Sequence, residues 1–234
     1  MKKLIVESSQ SLYLLWVLFY LDYVLNNHIY FYFDSFDSSI DLGIILCSFV
    51  QLSPLQIVCS TNHFLYFAYG SNLLKRRILI NNPSSIFSGI AQLLNYQLDF
   101  AKFSQNWQGA VATIVPKEGE TVWGAIWSVH NKDLGALDRQ EGVASKRYVA
   151  KIVDVKTTEG ADIKARTYVH TYIPPPLKPG EVLPKNRRPS ITYKICIVKG
   201  AIESKLPPKY IDKLKKIPCN GKFAKPGIRT LLKL

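Results

Sequence analysis

The sequence has few of the residues from which disulfide frameworks and metal sites are built. Its 234 residues include four cysteines and four histidines, and no two cysteines form a C-x-x-C pair. The histidines show no metal-ligand spacing with cysteine or aspartate, so we expect no metal site. Reduced cysteines in a cytoplasmic protein are the simpler expectation, and a disulfide scaffold is excluded. The cysteines are Cys47, Cys59, Cys196 and Cys219.

Long apolar runs are also absent from the first 62 residues. The runs Leu14–Leu21 and Leu42–Val50 are each shorter than the roughly 20 apolar residues that cross a bilayer. Lys2 and Lys3 precede the first run as in a signal peptide, but Glu7 intervenes and no small-x-small cleavage site is evident.

Three interpretations of this extension, residues 1–62, stay open. It is a signal segment or membrane anchor, which would make the protein secreted or membrane-anchored, or it is a folded accessory element. The polar residues between Asn26 and Ser39 break any apolar periodicity, which argues against the accessory element. The composition favours the third interpretation, a segment with no working role, such as translated upstream or intronic sequence.

Charge separates the extension from the rest of the chain. The net charge is +13, but residues 1–62 carry −3 and residues 63–234 carry 28 Lys and Arg against 12 Asp and Glu. A basic domain of this size binds nucleic acid or anionic membranes, or attracts acidic small molecules. The length suits one domain, residues 63–234, plus the extension.

The segment His63–Leu74 is an apolar, aromatic run that breaks at Gly70 and then begins a helix. We expect Gly70 to take a positive φ and Ser71 or Asn72 to cap the helix. A strand that ends in Gly-Ser-Asn before a helix leaves backbone N–H groups pointing outward, which makes the turn suited to bind an anion. Taken alone, however, Gly-Ser-Asn favours a tight turn with a helix cap and no ligand.

The remaining pattern predicts an α+β fold around a mostly antiparallel sheet. Lys117–Glu120 has the composition of a hairpin turn, and the residues after Pro218 form a loose tail. Gly142 is placed to end a helix in the left-handed conformation. The predicted strands are Leu65–Tyr69, Gly89–Phe100, Ala110–Val115, Thr121–Val129, Tyr148–Thr157 and Asp162–Tyr172, and the predicted helices are Asn72–Ile80, Asn131–Gln140, Ser190–Ser204 and Pro207–Ile217.

Two motifs in register resemble the gamma-glutamylcyclotransferase family. They are Tyr66-Phe-Ala-Tyr-Gly-Ser-Asn72 and Leu137-Asp-Arg-Gln-Glu-Gly-Val143. The likeness covers residues 63–234 and includes nothing in residues 1–62. Further pieces in the family's order are Asn82–Ser84, Gln97–Phe100, Trp107, Gly109–Ile114, Val122–Trp127, Tyr148, Arg166–Tyr168, Tyr193–Cys196 and Gly200–Ala201.

The resemblance implies a small closed β-barrel flanked by helices, with the Gly-Ser-Asn turn at its mouth. It implies a cofactor-free enzyme that converts a γ-glutamyl dipeptide into 5-oxoproline and a free amino acid. Glu141 matches the family's acid/base and would be the proton shuttle. Tyr168 matches a further tyrosine near the pocket. The residues implied in substrate binding are Tyr66, Phe67, Ala68, Tyr69, Gly70, Ser71, Asn72, Tyr148 and Tyr193.

Alternatives remain at the level of residues and of substrates. Arg139 would depress the pKa of Glu141 if it pointed into the pocket, but two residues apart on a helix they should face different ways. The leaving group is unassigned, so γ-glutamylamines and glutathione are alternative substrates. A different class is a basic binding module that uses Lys185–Arg188, Lys213, Lys215 and Lys216. We expect no nucleic acid partner, membrane contact only through residues 1–62, and leave a homodimer open.

Overall fold

The structure, a computed structural model, describes residues 62–178 and 180–234. The expectations for residues 1–61 lie outside these ranges. Five strands in the described part form a closed barrel in the order β1-β3-β2-β4-β5. They are β1 (His63–Ala68), β2 (Ile86–Ser104), β3 (Gly109–His130), β4 (Tyr148–Thr157) and β5 (Asp162–His170).

One parallel contact closes the barrel, and its other pairs are antiparallel. Tyr66 of β1 lies beside Arg166 of β5 in the parallel pair, and β1 runs antiparallel to β3 on its other side. With a neighbour on each edge, β1 has no free edge, and its second half, Tyr66 to Ala68, is buried. The large buried side chains include Phe67, Ile114 and Trp127. The predicted mostly antiparallel barrel is therefore confirmed.

The β2–β3 hairpin corrects one prediction. Lys117–Glu120 lies inside β3. The pairing of β3 with β2 continues directly before and directly after these four residues, so they form a bulge opposite Asn95. The Asn95 side-chain oxygen accepts from Gly119 N at 3.1 Å and holds the bulge. The hairpin turn lies instead between Ser104 and Gly109. Lys-Glu-Gly-Glu has turn composition, whereas Gln105 to Gln108 contains no Gly or Pro, so composition indicated the wrong place.

The predicted helix Asn72–Ile80 is divided in two. Ser71–Leu73 is a 3₁₀ turn, and α1 spans Lys75–Leu79. Leu74 between them is extended, with ψ of 116°, and is buried in the core. Leu73, Leu74 and Ile78 of this segment are buried.

The later helices follow the predictions closely, and the tail does not. A 3₁₀ turn at Asn131–Asp133 precedes α2 (Leu134–Glu141), with His130 as the capping side chain. α3 (Ile191–Glu203) and α4 (Pro208–Lys215) lie where they were expected.

The tail is packed, not loose. It contains α5 (Pro226–Leu232), in which Leu232 is buried, and Leu231 O accepts a hydrogen bond from Arg76. Ile191 N also donates to Lys222 O at 2.8 Å, so the tail is tied to the start of α3. The tail has four basic residues and no acidic ones, and its sequence alone gave no sign of these contacts. None of the helices in residues 62–178 and 180–234 has the length and apolar character of a membrane span.

Candidate active site

A small open cavity lies where the Gly-Ser-Asn turn meets the end of α2. The turn forms one wall, and Glu141 forms part of another. Four different elements contribute tyrosines to the lining, so the barrel must close before the cavity exists. The lining residues are Tyr66, Tyr69, Gly70, Ser71, Asn72, Ala112, Glu141, Tyr148, Tyr168 and Tyr193.

Glu141 is the last residue of α2, and the turn that follows fixes its backbone. Gly142 takes φ 69° and ψ 42°, the left-handed conformation that was predicted for it. Its N–H donates to Arg139 O at 3.1 Å, and Val143 N donates to Asp138 O at 3.0 Å. These two bonds form a Schellman motif, which ends the helix at Glu141. Leu137, one turn earlier, is fully buried and fixes the rotation of the helix.

Two side-chain amides hold one oxygen of the Glu141 carboxylate. Asn72 Nδ2 donates to Oε1 at 3.1 Å, and Gln140 Nε2 donates to the same oxygen at 3.2 Å. Asn72 Nδ2 also donates to the Tyr66 hydroxyl at 2.9 Å. The amide of Asn72 therefore joins the turn, the first strand and the carboxylate in one network.

Burial raises the pKa of Glu141 above its ordinary value. The nearby Arg77 guanidinium, the two amide hydrogen bonds and Arg147 oppose this shift without cancelling it. Although the residue as a whole is only partly buried, its carboxylate is enclosed by the network and the tyrosines. A carboxyl group of this kind exchanges protons closer to neutral pH than one in water.

The hydroxyl groups of the five cavity tyrosines fall into two classes. Tyr69 donates to Tyr168 O, Tyr148 donates to Ala112 O at 2.8 Å, and Tyr168 donates to Asp138 Oδ1 at 2.5 Å. The hydrogens of these three are thus engaged by the protein.

Tyr66 and Tyr193 accept instead. The Tyr66 hydroxyl accepts from Asn72, and the Tyr193 hydroxyl accepts from Ala112 N at 3.1 Å. Among the hydrogen bonds of the described residues, neither hydroxyl donates to another group, so each has a hydrogen available to a molecule in the cavity. Burial raises the pKa of both tyrosines, which keeps that hydrogen in place at neutral pH.

The Gly70 turn differs from its prediction in two details. Gly70 has φ of −110°, so its role does not depend on a positive φ. A Cβ there would lie 3.3 Å from Ala112 Cβ and 3.4 Å from Tyr193 Oη, so the turn packs closely against both residues. Neither Ser71 nor Asn72 caps a helix: no side chain caps this 3₁₀ turn, and Asn72 bonds to Tyr66 and Glu141.

The backbone of the turn keeps N–H groups available. Leu73 N donates to Gly70 O at 3.0 Å, and Leu74 N donates to Ser71 O at 3.2 Å. None of these turn bonds, in the described part of the chain, uses the N–H groups of Gly70, Ser71 or Asn72. Cys196 of α3 supports the turn from behind, because its thiol donates to Ser71 O at 3.4 Å.

The structure does not bring every predicted site residue to the cavity. Phe67 and Ala68 are fully buried and lie outside its lining. Phe67 follows the cavity-facing Tyr66 on β1 and therefore points to the other face of the strand, whereas Ala68 is covered in the core. Arg139 is exposed on α2, and the cations that act on Glu141 are Arg77 and Arg147.

Sequence reasoning missed three residues of the site. Ala112 contributes both its N–H and its C=O to cavity tyrosines. The guanidinium of Arg77 donates to Gln140 Oε1 at 3.2 Å. Gln140 is bonded to both Asn72 and Glu141. Its place directly before Glu141 in the second motif was the one signal that could have indicated it.

Comparison with known proteins agrees with this fold. A model of the AIG2-like family matches residues 121–214. The human gamma-glutamylcyclotransferase is 44% identical over 161 residues, which cover 67% of this chain and 80% of the human protein. The mouse gamma-glutamylcyclotransferase is 43% identical over the same shares.

A solved structure of a gamma-glutamyl cyclotransferase superposes with a TM-score of 0.65 and 40% identity, and covers 73% of this chain and 98% of that one. The shared barrel, together with identity at this level over most of the relatives' length, leads to one conclusion. The chain belongs to the gamma-glutamylcyclotransferase family of enzymes.

Proposed function

We propose that the protein converts a γ-glutamyl-amino acid into 5-oxoproline and a free amino acid, with Glu141 as the proton shuttle. The observation that carries the proposal is the position of the Glu141 carboxylate, 3.1 Å from the Asn72 amide of the Gly-Ser-Asn turn, in the lining of the same small cavity. A bent γ-glutamyl group has a carboxylate, an ammonium and an amide carbonyl that need such an arrangement.

The turn suits the α-carboxylate of the substrate. The N–H groups of Gly70, Ser71 and Asn72 are donors without turn partners, and oriented backbone N–H groups bind anions well. The hydroxyl hydrogens of Tyr66 and Tyr193 supply two more donors, for the carboxylate or for the oxygen of the γ-carbonyl as charge develops there. Binding at these groups would hold the glutamyl chain folded on itself.

The chemistry then needs ring closure and proton transfer. Glu141 in its ionised form takes a proton from the α-ammonium, and the neutral amine attacks the γ-carbonyl carbon. The new C–N bond closes the five-membered lactam while the original amide C–N bond breaks. Over one turnover two protons pass from the α-nitrogen to the leaving nitrogen, and Glu141 begins and ends ionised. The tethered nucleophile supplies much of the rate through proximity.

The test is turnover by the full chain. Incubation with γ-glutamyl-alanine should release 5-oxoproline, and Glu141→Gln should lower kcat by roughly 10²- to 10⁴-fold, the usual contribution of general acid–base catalysis. Glu118→Gln, at an exposed position in the β3 bulge, is the matched control and should retain activity. Normal turnover by a folded Glu141→Gln protein would exclude the mechanism.

The preferred leaving group stays open between γ-glutamyl-amino acids, γ-glutamylamines and glutathione. Parallel assays of γ-glutamyl-alanine, γ-glutamyl-ε-lysine and glutathione decide between them. We place the reaction in the cytoplasm, where the free Cys196 and Cys219 would stay reduced. Analytical ultracentrifugation tests whether the chain forms a homodimer.

A basic binding module has less support. Arg187, the centre of the basic run Lys185–Arg188, is buried and bonded to Asp99, so it is not available to a phosphate. Lys213 is paired with Glu120 at 2.6 Å. These cations serve the fold or its surface pairs, and steep salt dependence of RNA binding would be needed to revive the idea.

A further inference from the structure

Gln140 uses all the hydrogen-bonding capacity of its side chain at the candidate site. Its Nε2 donates to Asn72 Oδ1 at 3.0 Å and to Glu141 Oε1 at 3.2 Å. Its Oε1 accepts from Arg77 at 3.2 Å and from Asn81 Nδ2 at 3.0 Å. An amide has two donor hydrogens and two acceptor lone pairs, so each is occupied here.

The two donors that reach Gln140 Oε1 also fix which way the amide faces. Arg77 and Asn81 lie on and just after α1 and present only N–H groups to Gln140. A reversed amide would place its own NH₂ against them and an oxygen against the Glu141 carboxylate. Both contacts would be repulsive, so the observed orientation is strongly preferred.

The result is an asymmetric carboxylate. Glu141 Oε1 accepts from both Asn72 and Gln140, whereas Oε2 accepts no hydrogen bond from the described residues. We propose that Gln140 is a positioning residue, which fixes the Asn72 amide and occupies Oε1, so that Oε2 of Glu141 is the atom that carries the proton. This inference rests on the proposed function and extends it to the choice of oxygen.

The arrangement also explains why one carboxylate can serve both nitrogens. With Oε1 held by two amides, the carboxylate cannot rotate, and Oε2 keeps one direction into the cavity. Small errors in the position of a reacting group cost large factors in rate. Without Gln140, Asn72 Oδ1 would lose the hydrogen bond that it accepts, and that bond fixes the orientation of the Asn72 amide.

Titration of Glu141 tests the inference without any turnover. In the full chain labelled with ¹³C at glutamate Cδ, the Glu141 signal is assigned by its loss in Glu141→Gln. Gln140→Met keeps the length of the side chain and removes the donor, so the Glu141 titration should move to higher pH. A hydrogen bond to a carboxylate favours the ionised form, so loss of that bond raises the pKa. Arg139→Met on the exposed side of α2 is the matched control and should leave the titration unchanged.

The other charged groups around Glu141 need one further comparison. Arg77 and Arg147 are its cations, and the cavity tyrosines, which burial keeps neutral, face it from β1, β4, β5 and α3. The Gln140→Met change frees Arg77 from its acceptor. The titration of Arg77→Met is therefore compared with that of Arg77→Met/Gln140→Met, in which no freed guanidinium can reach the carboxylate. The upward shift should persist in this background.

Kinetics supply the second readout. Gln140→Met should lower kcat by on the order of tenfold or more while KM changes less, and the acidic limb of kcat/KM should move to higher pH. A titration that does not move in either background, or an unchanged kcat, would overturn the role of Gln140. If the unmodified protein releases no 5-oxoproline from any γ-glutamyl substrate, the proposed function fails, while the titration still decides the role of Gln140.

Discussion

Glu141 combines two requirements that conflict. The proposed reaction needs a carboxylate that is shielded from water, so that its affinity for a proton lies near the working pH. This shielding makes the fold less stable, because a shielded carboxylate is solvated less well than one in the unfolded chain. Asn72, Gln140 and Arg77 compensate in part, since each favours the ionised form.

At the residue scale, Glu141→Gln should therefore stabilise the protein at neutral pH. Burial raises the pKa of Glu141 in the folded state, so the folded chain binds more protons than the unfolded chain between the two pKa values. Stability from this group is present at low pH and is lost as pH rises through the folded pKa. The variant keeps Oε1 as an acceptor for both amides and carries no charge.

Urea unfolding as a function of pH measures this difference. The midpoint of Glu141→Gln should exceed that of the unmodified protein at pH 7.5, and the two should converge below about pH 4, the ordinary range of a carboxyl group. Glu118→Gln, at an exposed position, provides the comparison. A variant less stable at pH 7.5 would show that the ionised carboxylate contributes net stability.

At the scale of elements, the site is set by two short segments that meet. The turn after β1 is held by α3, because a Cβ on Gly200 would lie 2.3 Å from Leu73 C and from Leu74 N. The end of α2 is held by its Schellman motif and by the Asp138 carboxylate, which bonds to Arg166 at 2.7 Å and to Tyr168. Neither segment is long enough to be rigid alone, so their neighbours determine the geometry of the cavity.

Gly142→Ala should lower stability by about 1–2 kcal/mol, the cost of the left-handed conformation for a residue with a Cβ. It should also lower kcat, because the new Cβ would lie 2.9 Å from Ser145 Oγ and the backbone directly after Glu141 would shift. Thermal unfolding and 5-oxoproline release measure the two effects.

The control for this change is Gly160→Ala. Gly160 also has a positive φ, of 87°, but no atom lies within 4 Å of a Cβ there, and it is in the β4–β5 turn. Its stability loss should be similar and its kcat unchanged. Equal loss of kcat in both variants would mean that Gly142 affects activity only through global stability.

At the scale of the whole molecule, a buried ion pair ties the loop between β5 and α3 to strand β2. Arg187 donates to both oxygens of Asp99 at 2.6 Å and to Pro175 O at 2.7 Å. Both charged side chains are almost fully buried, at 6% and 3% exposure. Removal of one partner leaves the other charge buried without compensation, which is the costly case.

Arg187→Met should therefore destabilise the protein by about 3–5 kcal/mol. Lys164→Met removes a cation from the exposed pair with Asp154, at 2.8 Å, and should cost less than about 1 kcal/mol. Urea unfolding of both variants gives the comparison. Equal, small effects would mean that water reaches the Asp99 pair and that the loop contributes little to the fold.

The β-strands and the principal helices could be predicted from local pattern. The alternation of apolar residues predicted the observed bounds of β4. Ser190 and Gly142 were predicted at helix ends, and the structure has them there. Local composition failed at Lys117–Glu120 and in the tail. In both places, pairing with a distant segment decides the structure: Asn95 for the bulge and the start of α3 for the tail.

The sequence by itself determined the family motifs, the carboxylate at Glu141 and the glycine that ends its helix, because each depends on residues near one another in the chain. Only the tertiary structure decided that Arg77 turns inward, that Ala112 holds two tyrosines and that Gln140 orients the carboxylate. These contacts join residues 36 to 81 positions apart. Their partners meet only when the barrel closes, and a hydrogen bond between distant residues leaves no periodic trace in the sequence.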